Sequence, residues 1–238
     1  MHHFCRVGVA NLIRLATIMP IPKKYLADFE EHGIYHIYNR TNNQEPLFRI
    51  NENRSFFLRK YDQYLSSYVD TYCWCLLPNH FHLLIKVKSV RAILFNLKRK
   101  DHKSLTMTEK KFMEQLVNTS EIIEHSFKRF FQSYALSFNK IYDRKGNLFY
   151  KPFKRVEIED DSQMIQTAVY IHANPLKHKV MNDFTEYQWS SWNNILSEAP
   201  TTLLRKEIIT YFGTRSHFIK THREMSKAFR DNNVFIED

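Results

Sequence analysis

Glycine is scarce in this chain, at four of 238 residues, and neither G-x-G-x-x-G nor G-x-x-x-x-G-K-[ST] occurs anywhere. That excludes a collagen-like or Gly-rich low-complexity chain and leaves no glycine loop to cradle nucleotide phosphates, so no nucleotide cofactor is expected. Cysteine is equally thin: Cys5, Cys73 and Cys75 are too few and too oddly placed for a disulfide framework. A reducing, cytoplasmic setting is the expectation. No stretch approaches the roughly 18 to 20 continuous apolar residues of a membrane span. Val7 to Ile18 leans apolar, but it carries Arg14, follows Arg6 and lacks a small-residue cleavage site after it. Met19, with Pro20 and Pro22 after it, reads as a true start or a loose arm. No membrane partner is expected.

Acid is in deficit as well. Against 35 Lys and Arg stand 25 Asp and Glu, a net +10 with a pI near 9.4, which favours a polyanionic partner, nucleic acid first. What the chain has in quantity is apolar (43%) and aromatic (15%) surface, enough to exclude disorder despite the charge. The length suits one large domain, or a medium one with tails. There is no internal repeat.

Residues 33–39 are β-branched and aromatic and read as a first strand. Phe56, Phe57, Tyr61, Tyr64, Leu65 and Tyr68 recur at helical spacing within 53–68. Two strands follow, 70–77 and 80–87, joined at Pro78-Asn79. In the second, Phe81, Leu83, Ile85 and Val87 share one face, and His80, His82, Leu84 and Lys86 the other. A basic, helix-leaning region runs from 90 to about 142. Arg144-Lys145-Gly146-Asn147 marks a turn, and 153–158 alternates as a fourth strand. Asp160, Asp161 and Ser162 offer caps for a helix reaching Ala173, with Asn174-Pro175 expected to stop it. The order βαββαβ predicts an α+β, ferredoxin-like (split βαβ) antiparallel sheet with helices and one appended helix. The expected divisions are an arm over 1–30, a domain over 31–193 and a C-terminal helical extension over 194–238. That extension is basic, through Arg205, Lys206, Arg215, Lys220, Arg223, Lys227 and Arg230, and reads either as added nucleic-acid contact or as a solvated helix covering the sheet.

Five groups of residues could carry chemistry. His80 and His82 lie two apart on a strand, so both imidazoles leave the same side; that is half of a divalent-metal site, or else a locally hydrogen-bonded pair. Cys73 and Cys75 share a face too, and with the histidines would compose a zinc set; small buried core residues are the competing reading. Tyr170 and Asn174, four apart on a helix, project together as a phenol and an amide, or pack as ordinary helix residues. His172 and His178 face phosphate or are structural. Finally, between Lys128 and Arg155 the chain has eight basic residues and one acid, interleaved with aromatics. Lys128, Arg129, Arg144, Lys145, Lys154 and Arg155 are the candidate DNA contacts there. The stripe suits phosphate neutralisation and base stacking on unpaired strands, or a solvated face over an aromatic core.

Taken in order, these pieces resemble a known family. Cys75-Leu76-Leu77-Pro78-Asn79-His80-Phe81-His82-Leu83-Leu84 is similar to the histidine segment of the single-tyrosine HUH transposases. Tyr35 to Arg40, Phe138-Asn139, Gly146 to Phe149, Phe153 to Arg155, Tyr170 to Pro175 and Trp189 to Trp192 resemble further segments of that insertion-sequence-like family. The branch most resembled is the REP-associated tyrosine transposases, over residues 33–192. The resemblance implies that His80 and His82 hold Mg²⁺ or Mn²⁺, that Asn174 completes the site, and that Tyr170 is the nucleophile. Tyr134, on a second helix, stays open as an alternative nucleophile. It further implies cleavage and rejoining of single-stranded, hairpin-bearing DNA through a 5′-phosphotyrosine, by a monomer or homodimer. A domesticated hairpin-binding protein without turnover is the alternative.

Overall fold

The computed structural model describes residues 25–231, with side chains to 227. Residues 1–24 of the expected arm, with Met19 and Cys5, lie outside the described residues, as does the side chain of Arg230. Four strands, β1 (Ile34–Arg40), β2 (Val69–Leu76), β3 (His80–Val87) and β4 (Lys154–Glu157), make one antiparallel sheet in the order β2-β3-β1-β4. Helix α1 (Asn51–Leu65) links β1 to β2, and β2 turns directly into β3. Between β3 and β4 the basic region resolves into α2 (Val90–Lys98), α3 (Met107–Met113) and α4 (Thr119–Ile141). After β4 come α5 (Asp161–Lys177), α6 (Trp192–Leu196), α7 (Arg205–Tyr211) and α8 (Arg215–Asp231). The α+β, ferredoxin-like sheet expected from the sequence is the fold. No helix of the described residues is long and apolar enough to cross a membrane.

The sheet has two buried faces, which the alternation along β3 separates. Phe81, Leu83, Ile85 and Val87, with Tyr35 and Ile37 of β1, pack toward α1 and α4 among Phe57, Phe127, Phe130 and Phe138. Cys73, Cys75 and Leu84 belong to the other layer, under α5, with Phe218 and Met225 of α8 behind it. Residues 25–29 join the first layer: Leu26 bridges Arg155 beyond β4, and Phe29 is buried against Tyr35 and Phe127. The C-terminal helices cover the second layer and are fastened to the sheet, where Tyr72 Oη and Lys86 Nζ both donate to Glu207.

Helix α5 departs from the sequence expectation. Asn174-Pro175 does not stop it; it runs on through Lys177. Proline removes one backbone donor and crowds the preceding turn, but residues 164–176 of this helix are almost wholly buried, so packing holds the last turn in place. His178 N–H and Val180 N–H then close it on the carbonyls of Asn174 and Pro175. The consequence is that Lys177 and His178 stay beside Tyr170 and the sheet instead of leaving in a loop.

His172, which sits on α5 between Tyr170 and Asn174, faces away from the sheet site into a buried polar chain. Its Nδ1 is 2.9 Å from Nε2 of His222 on α8, its Nε2 is 3.0 Å from Ser191 Oγ, and His222 Nδ1 is 2.8 Å from the Phe218 carbonyl. The carbonyl can only accept, so His222 carries its proton on Nδ1. His172 then donates to His222, and the Ser191 hydroxyl donates to His172. Burial pushes His222 down to about 3 and His172 well below the usual histidine range, the neighbouring ring adding to the latter. Both rings are therefore neutral when folded and gain a proton near 6.5 when unfolded. Folding stability is complete above that value and is lost as the pH falls from it toward 3. Urea unfolding at pH 7 and pH 5 should show a loss of roughly 1–2 kcal/mol for each of these two histidines. An unchanged midpoint would contradict the neutral chain.

Candidate metal and nucleophile site

Strand β3 starts at His80, and its pairing with β1 sets Tyr38 opposite His82 and Arg40 opposite His80. Helix α5 lies over this face and brings Tyr170 against it, with ring centroids 5.7 Å from His82 and 6.1 Å from His36. The candidate residues are deeply covered: His80 is 8% exposed, His82 0%, Asn174 1% and Tyr170 1%. The structure thus brings together all four residues that the family resemblance singles out.

Each candidate ligand is held by its far end. The His80 Nδ1 lies 2.6 Å from Asn79 Oδ1, which can only accept, so the proton is on Nδ1 and Nε2 keeps its lone pair. His82 Nδ1 is 3.0 Å from His36 Nε2. Asn174 Nδ2 donates to the Tyr170 carbonyl at 3.1 Å, which turns Oδ1 away from its own helix. His80 Nε2 and Asn174 Oδ1 are buried without a hydrogen bond of good geometry, although the two side chains lie close enough to interact. Unpaired buried acceptors of this kind are costly unless a ligand satisfies them.

Electrostatics favours lone pairs here. Burial drives His80 down to about 3, with His178, Lys177 and Arg40 adding to the effect. It holds His82 well below the usual range, helped by the surrounding rings and Lys177. His36 falls to about 3 by burial alone, and His178 to about 4 by burial with Lys177 beside it. Two neutral imidazoles and an amide oxygen are a chemically suitable donor set for a divalent cation such as Mn²⁺ or Mg²⁺. Among the described residues this donor set of His80, His82 and Asn174 includes no carboxylate.

Among the described residues no three His, Cys, Asp or Glu side chains gather into a metal set. Cys73 and Cys75 accordingly do not join the histidines as zinc ligands; they are buried in the apolar layer beneath α5, where burial raises both thiols. Tyr134 is separated from the histidines by the sheet. It sits on α4 among Phe48, Phe57 and Phe138, donating to the Leu47 carbonyl at 2.8 Å.

The six basic candidates do not form one line. Lys154 lies over the rings of Tyr25 and Tyr38 and lines a cavity of about 600 Å³ that opens beside His80, together with Arg40, Lys151, Lys177 and His178. Lys128 is exposed on α4, 3.5 Å from Glu124, and Lys145 is exposed on the turn after it. Arg129 stacks over Tyr64. Arg144 forks onto Glu45 at 2.7 and 2.9 Å and donates to the carbonyls of residues 145–147, tying down that turn. Arg155 is buried, 2.5 Å from Glu124 and donating to the Ala27 carbonyl.

Lys177 and Arg40 were not singled out by the sequence. Lys177 Nζ donates to Tyr170 Oη at 3.2 Å and lies 5.0 Å over its ring. It follows Tyr170 by seven residues, two helical turns, and that spacing has meaning only because the helix passes Pro175. His36, Tyr38 and Arg40 alternate on β1, and only the β1–β3 register turns their face toward the histidines.

No family model matches the chain, and no curated protein matches it. Among solved structures it is similar to a REP-associated tyrosine transposase bound to a REP hairpin. The TM-score is 0.43 and the identity 13%, covering 76% of this chain and 89% of that one. That is a distant relationship of fold.

Titration of the purified protein with Mn²⁺, followed by electron paramagnetic resonance, should show one site. Asn174→Ala and His82→Ala should each weaken it at least about tenfold, whereas Cys73→Ala should leave it unchanged. Bound zinc that is lost in Cys73→Ala would overturn this ligand set.

Proposed function

We propose that this chain is a transposase-type enzyme that cleaves and rejoins single-stranded, hairpin-bearing DNA through a phosphotyrosine at Tyr170, in the cytoplasm. The observation that carries the reading is the convergence, within one chain, of His80, His82 and Asn174 with Tyr170 beside a cavity lined by cations. The family resemblance in the sequence supplies the substrate class.

The chemistry follows from charge. A phosphodiester repels an incoming oxygen unless its own charge is offset. Mg²⁺ or Mn²⁺ held by His80, His82 and Asn174 would orient the scissile phosphate and draw charge from a non-bridging oxygen. Arg40 and Lys154 in the cavity attract the strand, and Lys154 is steadied by the rings of Tyr25 and Tyr38. Lys177 holds the Tyr170 oxygen and offsets the negative charge it gains on losing its proton. Attack of that oxygen on phosphorus forms the tyrosyl ester and releases the 3′-oxygen as a hydroxyl, leaving a 5′-phosphotyrosine. The ester conserves the phosphodiester bond energy, so a 3′-hydroxyl can reverse the step without a nucleotide.

One observation favours the second reading, a hairpin-binding protein without turnover. Tyr170 is 1% exposed and is absent from the cavity wall, where Lys177 stands instead. Turnover therefore requires Lys177 or the end of α5 to move aside for the phosphate.

A labelled hairpin oligonucleotide with Mg²⁺ or Mn²⁺ separates the two. Wild type should form a denaturant-resistant protein–DNA adduct, Tyr170→Phe should bind the DNA and form none, and Tyr134→Phe should retain the adduct. An adduct that survives in Tyr170→Phe but is lost in Tyr134→Phe would reverse the assignment. Binding without an adduct from any hairpin would favour the second reading.

A further inference from the structure

We infer that His36 is a positioning residue: by accepting a hydrogen bond from His82 Nδ1 it fixes His82 in the tautomer whose Nε2 lone pair faces the metal site. The inference rests on the metal-site reading above and adds to it a residue outside the His–x–His segment.

The geometry is specific. His36 Nε2 and His82 Nδ1 are 3.0 Å apart, and both rings are buried, at 2% and 0% exposure. The rings lie nearly parallel, 24° between planes with centroids 5.2 Å apart. Tyr38 stacks beside both, 4.9 Å from His36 and 5.9 Å from His82. A stack of three rings on adjacent strands leaves the His82 plane little room to rotate.

Between the two nitrogens there is one proton, because a ring-to-ring hydrogen bond at 3.0 Å needs one nitrogen to donate and the other to accept. If His82 donates, its Nε2 is an acceptor and can bind a cation. If His36 donates, His82 carries its proton on Nε2 and presents an N–H to the place where the ligands converge. His80 shows the first arrangement, since Asn79 Oδ1 accepts from its Nδ1. The same tautomer at His82, whose ring centroid is 5.2 Å from that of His80, makes its Nε2 an acceptor as well. A ligating histidine usually passes its other N–H to a carboxylate or a carbonyl. A neutral imidazole in that role adds no negative charge, which accords with the carboxylate-free donor set.

The test compares wild type, His36→Phe and His36→Gln, each checked for folding by thermal melting. Mn²⁺ binding is read by electron paramagnetic resonance, and the His82 tautomer by long-range ¹H–¹⁵N spectra of the imidazoles. Wild type should bind Mn²⁺ and show His82 protonated on Nδ1. His36→Phe should weaken binding by roughly 10- to 100-fold and mix the two tautomers. His36→Gln, whose amide oxygen can accept, should recover most of the affinity. Equal binding by wild type and His36→Phe would overturn the role of His36 alone, as would a glutamine variant as weak as phenylalanine. A wild-type His82 protonated on Nε2 would overturn it too. Failure of the wild type to bind Mn²⁺ would instead remove the metal site, and this role with it.

Discussion

Strand β3 is covered on both faces, and that burial is the constraint on which the rest of the site depends. A strand with one wet face can carry two histidines at no structural cost, because water satisfies them. Here α1 and α4 close one side and α5 closes the other, so every ring nitrogen on β3 needs a partner from the protein or from something bound. Asn79 and His36 satisfy the Nδ1 atoms of His80 and His82. What lacks a hydrogen bond of good geometry is then informative: His80 Nε2 and Asn174 Oδ1 are buried, and their side chains lie close enough to interact. The same burial keeps the imidazoles neutral, so one physical cause supplies both the lone pairs and their direction.

Helix α5 is divided by function around its circumference. Tyr170 and Asn174 face the sheet, and Lys177 lines the cavity. His172 faces α8, where a neutral chain through His222 and Ser191 fastens the C-terminal helices to the back of α5. The C-terminal segment thereby forms the outer wall that holds the tyrosine helix on the sheet. The basic residues are divided in a similar way. Arg144 and Arg155 are engaged with Glu45 and Glu124 in holding the fold, and the charge beside the histidines comes from Arg40, Lys151, Lys154 and Lys177.

Much of this was legible in the linear sequence. The alternation Phe81, Leu83, Ile85, Val87 against His80, His82, Leu84 defines β3 and the side from which both imidazoles emerge, because strand periodicity is a local property. The βαββαβ order leaves few arrangements of four antiparallel strands. The spacing of Tyr170 and Asn174 needs only helical geometry to put them on one face. The expected stop at Pro175 failed because local propensity was outweighed by the burial of the last turn, an energy that no window of sequence contains.

By itself, then, the sequence determined the strands, their faces, and the residue types able to bind a cation and attack a phosphate. Tertiary structure alone decided which tyrosine meets the histidines: Tyr170 shares a face of the sheet with them, and Tyr134 is on the opposite one. It also set His36 against His82 and Lys177 against Tyr170, and of the basic stripe it brought only Lys151 and Lys154 to the cavity beside His80. The physical reason is common to all of these. Strand register and the packing of α5 bring residues distant in sequence within hydrogen-bonding range, and no periodicity along the chain encodes that distance.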